Sequence, residues 1–397
     1  MYKVVVAGKN NIAVNVLEYI LLTFDSIDVK VIFNQNDKGV DGFQRSFKKY
    51  CLENNIESIT LENAEKIKDV IFLSLEFDKI VSPNKFNSDR LFNIHFSLLP
   101  KYKGMYTSAW PILNLEKSTG VTLHKIDAGI DTGDIIKQVE FDISENETSK
   151  TLYAKYIMHG TSVVIDNIFK IFGNCFFSTS QSAVGSSYYS RNSIDYSNLK
   201  INLNKTAYEI KKQLDAFNFR DYQLPKVFGY NICGAKILSE KSQIKPGCII
   251  GEDGSGLILS TIDYNICLYK DILDCFLLAC SEGNIDFIVN NANEYVINEK
   301  NSIGWSPIIV AAYHGKIDVV ELLVSFGANI NDTNYKGTSV FMYAKDYAIK
   351  NKDINYIRSM IRLGANVNLS DYYGKSVFDY LNGEEEDFIK NAIKDMV

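Results

Sequence analysis

The first part of the chain alternates between short apolar runs and amphipathic stretches. Lys3–Ala7 is a β-branched run closed by Gly8 and the pair Asn10-Asn11. A helical pattern follows through Phe24, then a second strand at Val29–Phe33 and a second amphipathic helix over Gly42–Asn54. Val70–Leu75 is an apolar run of the kind a buried parallel strand shows, and Leu91–Ser97 has the apolar and aromatic content of another. Thr119–His124 and Ile135–Ile143 read as further strands. A long helix starts near Thr148 and runs to about Ile171. Strands alternating with helices predict a doubly wound, Rossmann-like α/β sheet. Its first turn is Gly8-Lys9-Asn10-Asn11; Gly-x-Gly-x-x-Gly is absent, and dinucleotide binding is unsupported. In open α/β sheets, ligands sit beyond the carboxyl ends of the strands. That places the ends of Val70–Leu75 and Leu91–Ser97 at the reaction centre.

The pattern then changes twice. Ser178–Ser187 is rich in small polar residues and reads as a linker or mobile crossover. Tyr188–Gly229 mixes aromatics with Arg191, Arg220 and Lys226, and strand-like pieces with Gly turns follow from Asn231 to Tyr269. This middle region reads as a small β-rich accessory domain. From Asp271 onward the chain is repetitive. Gly304-Trp305-Ser306-Pro307 through Gly315 is close to the ankyrin pattern, and Gly337 follows Gly304 by 33 residues. The block Gly327-Ala328-Asn329-Ile330-Asn331 returns at Gly364–Asn368 after 37, which implies a four-residue insertion near Lys350–Asp353. About three all-α repeats and a C-terminal cap over Gly374–Val397 suffice to bury a common core. Three domains are expected, over residues 1–185, 186–270 and 271–397.

Composition narrows the class. A chain of 397 residues exceeds what one core supports. A net charge of −6 supplies no field that would draw it to nucleic acid or an anionic membrane. The 7 Cys are scattered singly without Cys-x-x-Cys, as reduced thiols are in a reducing compartment. The 4 His lie far apart, so no metal motif is visible. With no secretory leader and no run of eighteen apolar residues, a cytoplasmic protein is expected.

The candidate chemistry lies in Phe92–Gly104. If Leu91–Ser97 is a strand, its alternation points Asn93 and His95 to the same face. An amide donor beside an imidazole suits acyl transfer to an amine: one group holds the developing oxyanion, the other manages the amine's proton. Asp131, on the Gly-flanked stretch Gly129–Ile135, is a natural third member that orients or charges the imidazole. Asp127 and Asp134 are nearby alternatives, and His124 is the rival imidazole, although its strand position suggests a structural role.

These residues also carry a resemblance. Asn93, His95, Ser97, Leu99, Pro100 and Gly104, then Gly120, Val121, Thr122, Asp131, Thr132 and Gly133, closely resemble the 10-formyltetrahydrofolate-dependent formyltransferase family over roughly the first 175 residues. The resemblance implies a formyltransferase-type α/β fold, 10-formyltetrahydrofolate as co-substrate, no metal, and Asn93, His95 and Asp131 as the catalytic triad. It places the pterin on loops matching Ser74–Val81 and Ile126–Asp134, with Leu75, Phe77, Ile80 and Asp134 as contacts. Leu75-Glu76-Phe77 departs from the Tyr-Gly of many relatives, which leaves the pterin grip open. Lys103, in the basic loop Lys101–Gly104, is a candidate for a phosphate or the folate tail. Arg191 and Tyr222 resemble the pyrophosphate and base contacts of the nucleotide-sugar branch, and Trp305 is a candidate stacking residue on the ankyrin surface. Each of these four has an ordinary packing or solvated alternative. The ankyrin tail further resembles enzymes that formylate dTDP-linked 3-amino-3,6-dideoxyhexoses for surface polysaccharide (O-antigen) synthesis. The implied partners are a dTDP-amino sugar, a reduced folate, a second copy in a homodimer, and a ligand or protein on the ankyrin surface. A dTDP-4-amino sugar, methionyl-tRNA and a non-enzymatic adapter stay open as alternatives.

Overall fold

Lys3–Ala7 is the centre of the first strand of a six-stranded sheet. In chain order the elements are β1 (Tyr2–Gly8), α1 (Asn10–Thr23), β2 (Ile27–Phe33), α2 (Phe47–Glu53), α3 (Leu61–Lys66), β3 (Ile71–Leu75) and β4 (Leu91–His95). A two-residue β5 (Lys103–Gly104), a single turn α4 (Trp110–Leu113), β6 (Ser118–Lys125), β7 (Ile135–Asp142) and the long α5 (Ser149–Phe172) follow. This computed structural model describes residues 1–383, 386–394 and 396.

The sheet order is β2-β1-β3-β4-β6-β7. The first four strands are parallel, whereas β6 and β7 run antiparallel to their neighbours. The doubly wound expectation thus describes β1–β4. The distal strands β6 and β7 form a hairpin, which needs no crossover helix. Alternation along β1 builds both layers. Val4 and Val6 pack with Ile12, Leu17, Leu152 and Tyr156 on the side of α1 and α5. Val5 and Ala7 pack with Ala64, Phe72 and Leu91 on the other.

Local chemistry sets the helix ends. Thr148 caps α5 in a reciprocal capping box with Thr151. The second helix starts at Phe47 and not at Gly42, because Ser46 is its N-cap, accepting from the Lys49 N–H at 3.0 Å. Asp37 and Asp41 in turn bind the Ser46 hydroxyl and N–H, holding the preceding segment as a loop.

The segment read as a linker is structured. Thr179 pairs with Ile135 as an isolated bridge, and β8 (Tyr188–Tyr189) adds a parallel partner to β5. Ser178–Ser187 is therefore anchored to the sheet domain and is not a free crossover. The middle region also contains a helix that the sequence reading did not assign, α6 (Ala207–Phe217), started by a Thr206/Glu209 capping box. Then come β9 (Lys226–Val227), which pairs antiparallel with β10 (Tyr230–Lys241), and β11 (Ile249–Glu252), β12 (Gly256–Leu259) and β13 (Tyr264–Lys270). The chain divides into two compact units, Met1–Cys248 with Leu259–Cys267, and Ile249–Ile258 with Leu268–Val397.

The second unit carries α7 (Leu273–Glu282), α8 (Ile285–Asn291), α9 (Pro307–Tyr313), α10 (Ile317–Ser325), α11 (Val340–Asn351), α12 (Ile354–Arg362) and α13 (Asp387–Lys394). Asn side chains link successive repeats. Asn298 Oδ1 accepts from the Asn329 N–H at 3.0 Å, and Asn331 Oδ1 accepts from the Asn366 N–H at 2.7 Å. This explains why the Gly-Ala-Asn-x-Asn block recurs. The insertion is absorbed by lengthening α11 to 12 residues against 7 in α9. Of the cap expected over Gly374–Val397, residues 384, 385, 395 and 397 lie outside the described residues. Among the described residues, no helix is long and apolar enough to cross a membrane.

Candidate active site

Strand β4 presents Asn93 and His95 on the face that Leu91 shares, and the loop between β6 and β7 carries Asp131 back over them. Asn93 Nδ2 lies 3.4 Å from Asp131 Oδ1, and His95 Nδ1 lies 3.5 Å from the same oxygen. Asp131 has a left-handed backbone, φ 53°, a conformation that a non-glycine residue keeps only where its surroundings fix it. Three contacts do so. Its other carboxylate oxygen accepts from the Gly104 N–H at 2.9 Å. Gln181 Nε2 donates to the carbonyls of Asp131 and Gly133 at 2.9 and 2.8 Å.

Gly104 is required at its position. With φ at +89°, it would bring a Cβ within 2.2 Å of the Tyr189 carbonyl. Its N–H reaches Asp131 because β5 and β8 approach closely, which only a residue without a side chain permits.

The imidazole of His95 is only 8 % exposed. Its Nε2 lies 2.8 Å from the Tyr102 carbonyl, so Nε2 carries the proton and donates. Nδ1 is left with its lone pair, loosely facing Asp131. Burial pushes the imidazole below its ordinary value, while Asp131 and the Tyr102 carbonyl pull it back. Burial works against the Asp131 carboxylate, but His95, His124 and the Gly104 N–H outweigh it and hold the carboxyl at about 2. The pair is therefore a neutral base beside a permanent anion. A proton taken up at Nδ1 is compensated at once by Asp131.

His124, read from sequence as structural, stands within the same constellation. Asn93 and His124 are directly opposite in the β4–β6 ladder. Its Nδ1 donates to the Lys125 carbonyl at 2.7 Å, leaving Nε2 to accept from Asn93 Nδ2 at 3.1 Å. Nε2 is also 3.7 Å from Asp131. His124 thus aims the amide that Asn93 would offer a substrate. Gln181 is a second residue that sequence reasoning missed, because its segment carried no periodic signal.

The other candidates lie around this centre or apart from it. Leu75 is buried at the end of β3, and its carbonyl accepts from the Lys9 N–H at 3.2 Å. Phe77 packs edge-on to Phe72, on the same hydrophobic cluster as Ile126. Ile80 is 76 % exposed. Asp134 accepts from the hydroxyls of Ser178 and Ser180. Lys103 precedes Gly104 in β5, and Arg191 sits on an exposed 3-10 turn whose carbonyl accepts from the Tyr106 hydroxyl. Tyr222 is 55 % exposed and packs on Phe219 and Phe43. Trp305 belongs to the ankyrin unit, where its Nε1 donates to the Tyr343 hydroxyl at 3.0 Å and Tyr313 and Tyr343 flank its ring.

Comparison with known proteins finds relatives of both parts of the chain. Residues 29–168 match the formyl transferase domain family, and residues 276–371 match a family of three ankyrin repeats. The methionyl-tRNA formyltransferase of Clostridium tetani is 28 % identical over 292 residues, covering 68 % of this chain and 91 % of that protein. The crystal structure of an N-formyltransferase from Helicobacter canadensis, in complex with folinic acid and dTDP-3-aminofucose, is 47 % identical. It covers 68 % of this chain and all of its own, with a TM-score of 0.63. WlaRD, a sugar 3N-formyltransferase solved with dTDP and 5-N-formyl-tetrahydrofolate, is 46 % identical, with 68 % and 98 % covered and a TM-score of 0.64. With an imidazole, an amide and a carboxylate converging on one point, and such relatives matched along their whole length, the chain belongs to the sugar N-formyltransferase family and carries an ankyrin-repeat module.

Proposed function

We propose that this enzyme moves the formyl group of 10-formyltetrahydrofolate to the amine of a dTDP-linked amino-dideoxy sugar, specifically a 3-amino-3,6-dideoxyhexose. The observation that carries the reading is the convergence of Asn93 Nδ2 and His95 Nδ1 on one carboxylate oxygen of Asp131, at 3.4 and 3.5 Å. The acceptor class rests on the two relatives solved with dTDP-3-aminofucose and with dTDP. The net charge of −6 disfavours the phosphate-rich alternative, methionyl-tRNA.

The residues present fit a reduced folate. The loops after β3 and β6 share one hydrophobic cluster through Phe77 and Ile126. They carry Ile80 and Ile130, 76 % and 41 % exposed, as apolar walls for a flat ring. Leu75, Phe77, Ile80 and Asp134 would hold it there. Bound in that place, the folate supplies an electrophilic formyl carbon.

An ammonium is no nucleophile, so the amine must lose a proton. His95 Nδ1 takes it, since Nε2 is committed to the Tyr102 carbonyl, and Asp131 neutralises the resulting imidazolium. Asn93 Nδ2 would donate to the formyl oxygen as negative charge develops there. As the formyl carbon bonds to the amine, its bond to N10 of the folate would break, with N10 taking up the proton held by His95. One such donor contributes roughly 2.7–4 kcal/mol in a transition state. Lys103 and Arg191 meet the diphosphate, and Tyr222 stacks on the base. The protein acts in the cytoplasm as a homodimer, supplying surface polysaccharide (O-antigen) synthesis, and Trp305 offers a ligand or protein contact on the ankyrin module.

Mass spectrometry of the product tests the reading. Purified protein with 10-formyltetrahydrofolate and a panel of dTDP-3-amino and dTDP-4-amino hexoses should add one formyl group to a 3-amino sugar. Formylation of methionyl-tRNA, or of no sugar, would overturn it.

A further inference from the structure

A second carboxylate lies beside the triad and is not used by the chemistry above. β1 is followed by β2 on one side and, after α2 and α3, by β3 on the other, so the chain reverses direction across the sheet between β1 and β3. The crevice at such a reversal is where open α/β sheets hold ligands. Gly8 allows it to close: a Cβ there would lie 1.9 Å from the Leu75 carbonyl.

Glu76 directly follows β3 at that end of the sheet. The Tyr153 hydroxyl is 2.8 Å from both carboxylate oxygens, and Asn10 Nδ2 is 3.3 Å from one of them. Asn10 also donates to the Tyr153 hydroxyl at 2.8 Å, while Asn34 Nδ2 holds the Glu76 carbonyl at 2.7 Å. Glu76 and Asn10 both have left-handed backbones, φ 59° and 63°. Glutamate is seldom found in that region, and such residues cluster at ligand sites. Lys9 acts electrostatically on Glu76, and Phe43 packs against Tyr153 and edge-on to the half-exposed Tyr222.

Two relations say which substrate would lie there. Leu75 is opposite Ile94 in the parallel β3–β4 pair, so Glu76 leaves β3 beside the point where His95 ends β4. Its carboxylate turns toward Tyr153 of α5, the layer of Phe96 and Phe219. Phe77 and Ile126 instead pack against the cluster of the opposite layer, on the loops assigned to the folate. Donor and acceptor thus approach the triad from different faces. A carboxylate repels a diphosphate, which leaves the sugar ring as the part of the acceptor that fits against it.

We propose that Glu76, held by Tyr153 and Asn10, reads the acceptor's sugar ring by accepting a hydrogen bond from the hydroxyl adjacent to the reacting amine. This rests on the acceptor being a nucleotide-linked amino sugar. Glu76 is then a specificity-determining residue of the reaction.

Steady-state kinetics with purified full-length enzyme test it. Glu76→Gln should raise KM for the dTDP-amino sugar roughly ten- to a hundredfold, the range of a lost charge-assisted hydrogen bond, with KM for the folate unchanged. Tyr153→Phe, which keeps the ring but frees the carboxylate, should shift KM in the same direction by less. A sugar analogue lacking that hydroxyl should lose the same factor with wild-type enzyme and nothing further with Glu76→Gln. If Glu76→Gln leaves the sugar KM unchanged, or raises the folate KM instead, the role of Glu76 is overturned while the function stands. A wild-type enzyme that formylates no amino sugar would overturn the function, and this inference with it.

Discussion

Two carboxylates lie beside one sheet, Glu76 just after β3 and Asp131 in the β6–β7 loop, and the protein treats them in opposite ways. Asp131 faces two imidazoles and a backbone N–H, and despite burial its carboxyl is held at about 2. Glu76 faces a phenol and an amide, with Lys9 as the cation acting on it, and burial lifts its carboxyl above the ordinary value. The difference shows how one sheet can host two tasks. A carboxylate that must stay charged through a proton transfer is given cationic or protonatable partners. One that must exchange its partners with a substrate is given mainly neutral donors.

The largest effect that would break this comparison belongs to Asp131. Asp131→Asn should reduce turnover by about 10³–10⁴-fold, as in other imidazole–carboxylate pairs, with folate affinity retained. Kinetics and a folate titration on the same preparation check it. A smaller loss is expected from the loop that positions the carboxylate. Gln181→Ala frees the carbonyls of Asp131 and Gly133 and should lower kcat roughly ten- to a hundredfold with the sugar KM unchanged. Equal change in kcat and KM would show that Gln181 acts elsewhere.

The smallest effect concerns stability, where the two groups have opposite signs. The Asp131 carboxyl is depressed from an ordinary 3.8, so it stabilises the fold above that pH, and this contribution is lost as the pH falls toward 2. The Glu76 carboxyl is raised above 4.5. Its contribution is present below that pH and is lost as the pH rises, so its ionised form costs stability at neutrality. Glu76→Gln should therefore raise Tm at pH 7, by about 2–4 °C for each kcal/mol recovered, and the gain should vanish toward pH 4. A lowered Tm at pH 7 would contradict the burial of that carboxylate. Thermal melts across the pH range decide it.

The sheet domain was legible in the sequence where periodicity is strong. The β1, β3 and β4 runs, the Thr148 cap and the Asn93–His95 alternation each follow from local pattern alone. Asp131 was reachable through its glycine-flanked loop and the family resemblance. His124 was not, because its role depends on lying opposite Asn93 in an antiparallel pair, and the doubly wound expectation did not anticipate that pairing. Gln181 was hidden for a different reason. A stretch of Ser, Thr and Gly carries no hydrophobic signal, yet its backbone and amide pin the β6–β7 loop. The helix Ala207–Phe217 had an available signal in Thr206-x-x-Glu209, which the surrounding aromatic and basic residues masked. In the ankyrin unit, the Gly-Ala-Asn-x-Asn spacing carried both the repeat and its insertion, since each Asn must meet the next repeat's backbone.

The most direct measurement is single-turnover formyl transfer by His95→Ala and Asn93→Ala, made with bound folate and sugar quantified separately. The account predicts that both variants remain folded and bind both substrates, yet transfer the formyl group at least 10²-fold more slowly, as loss of such a donor or base requires. Transfer at the wild-type rate in both would contradict the assignment of this strand as the catalytic centre.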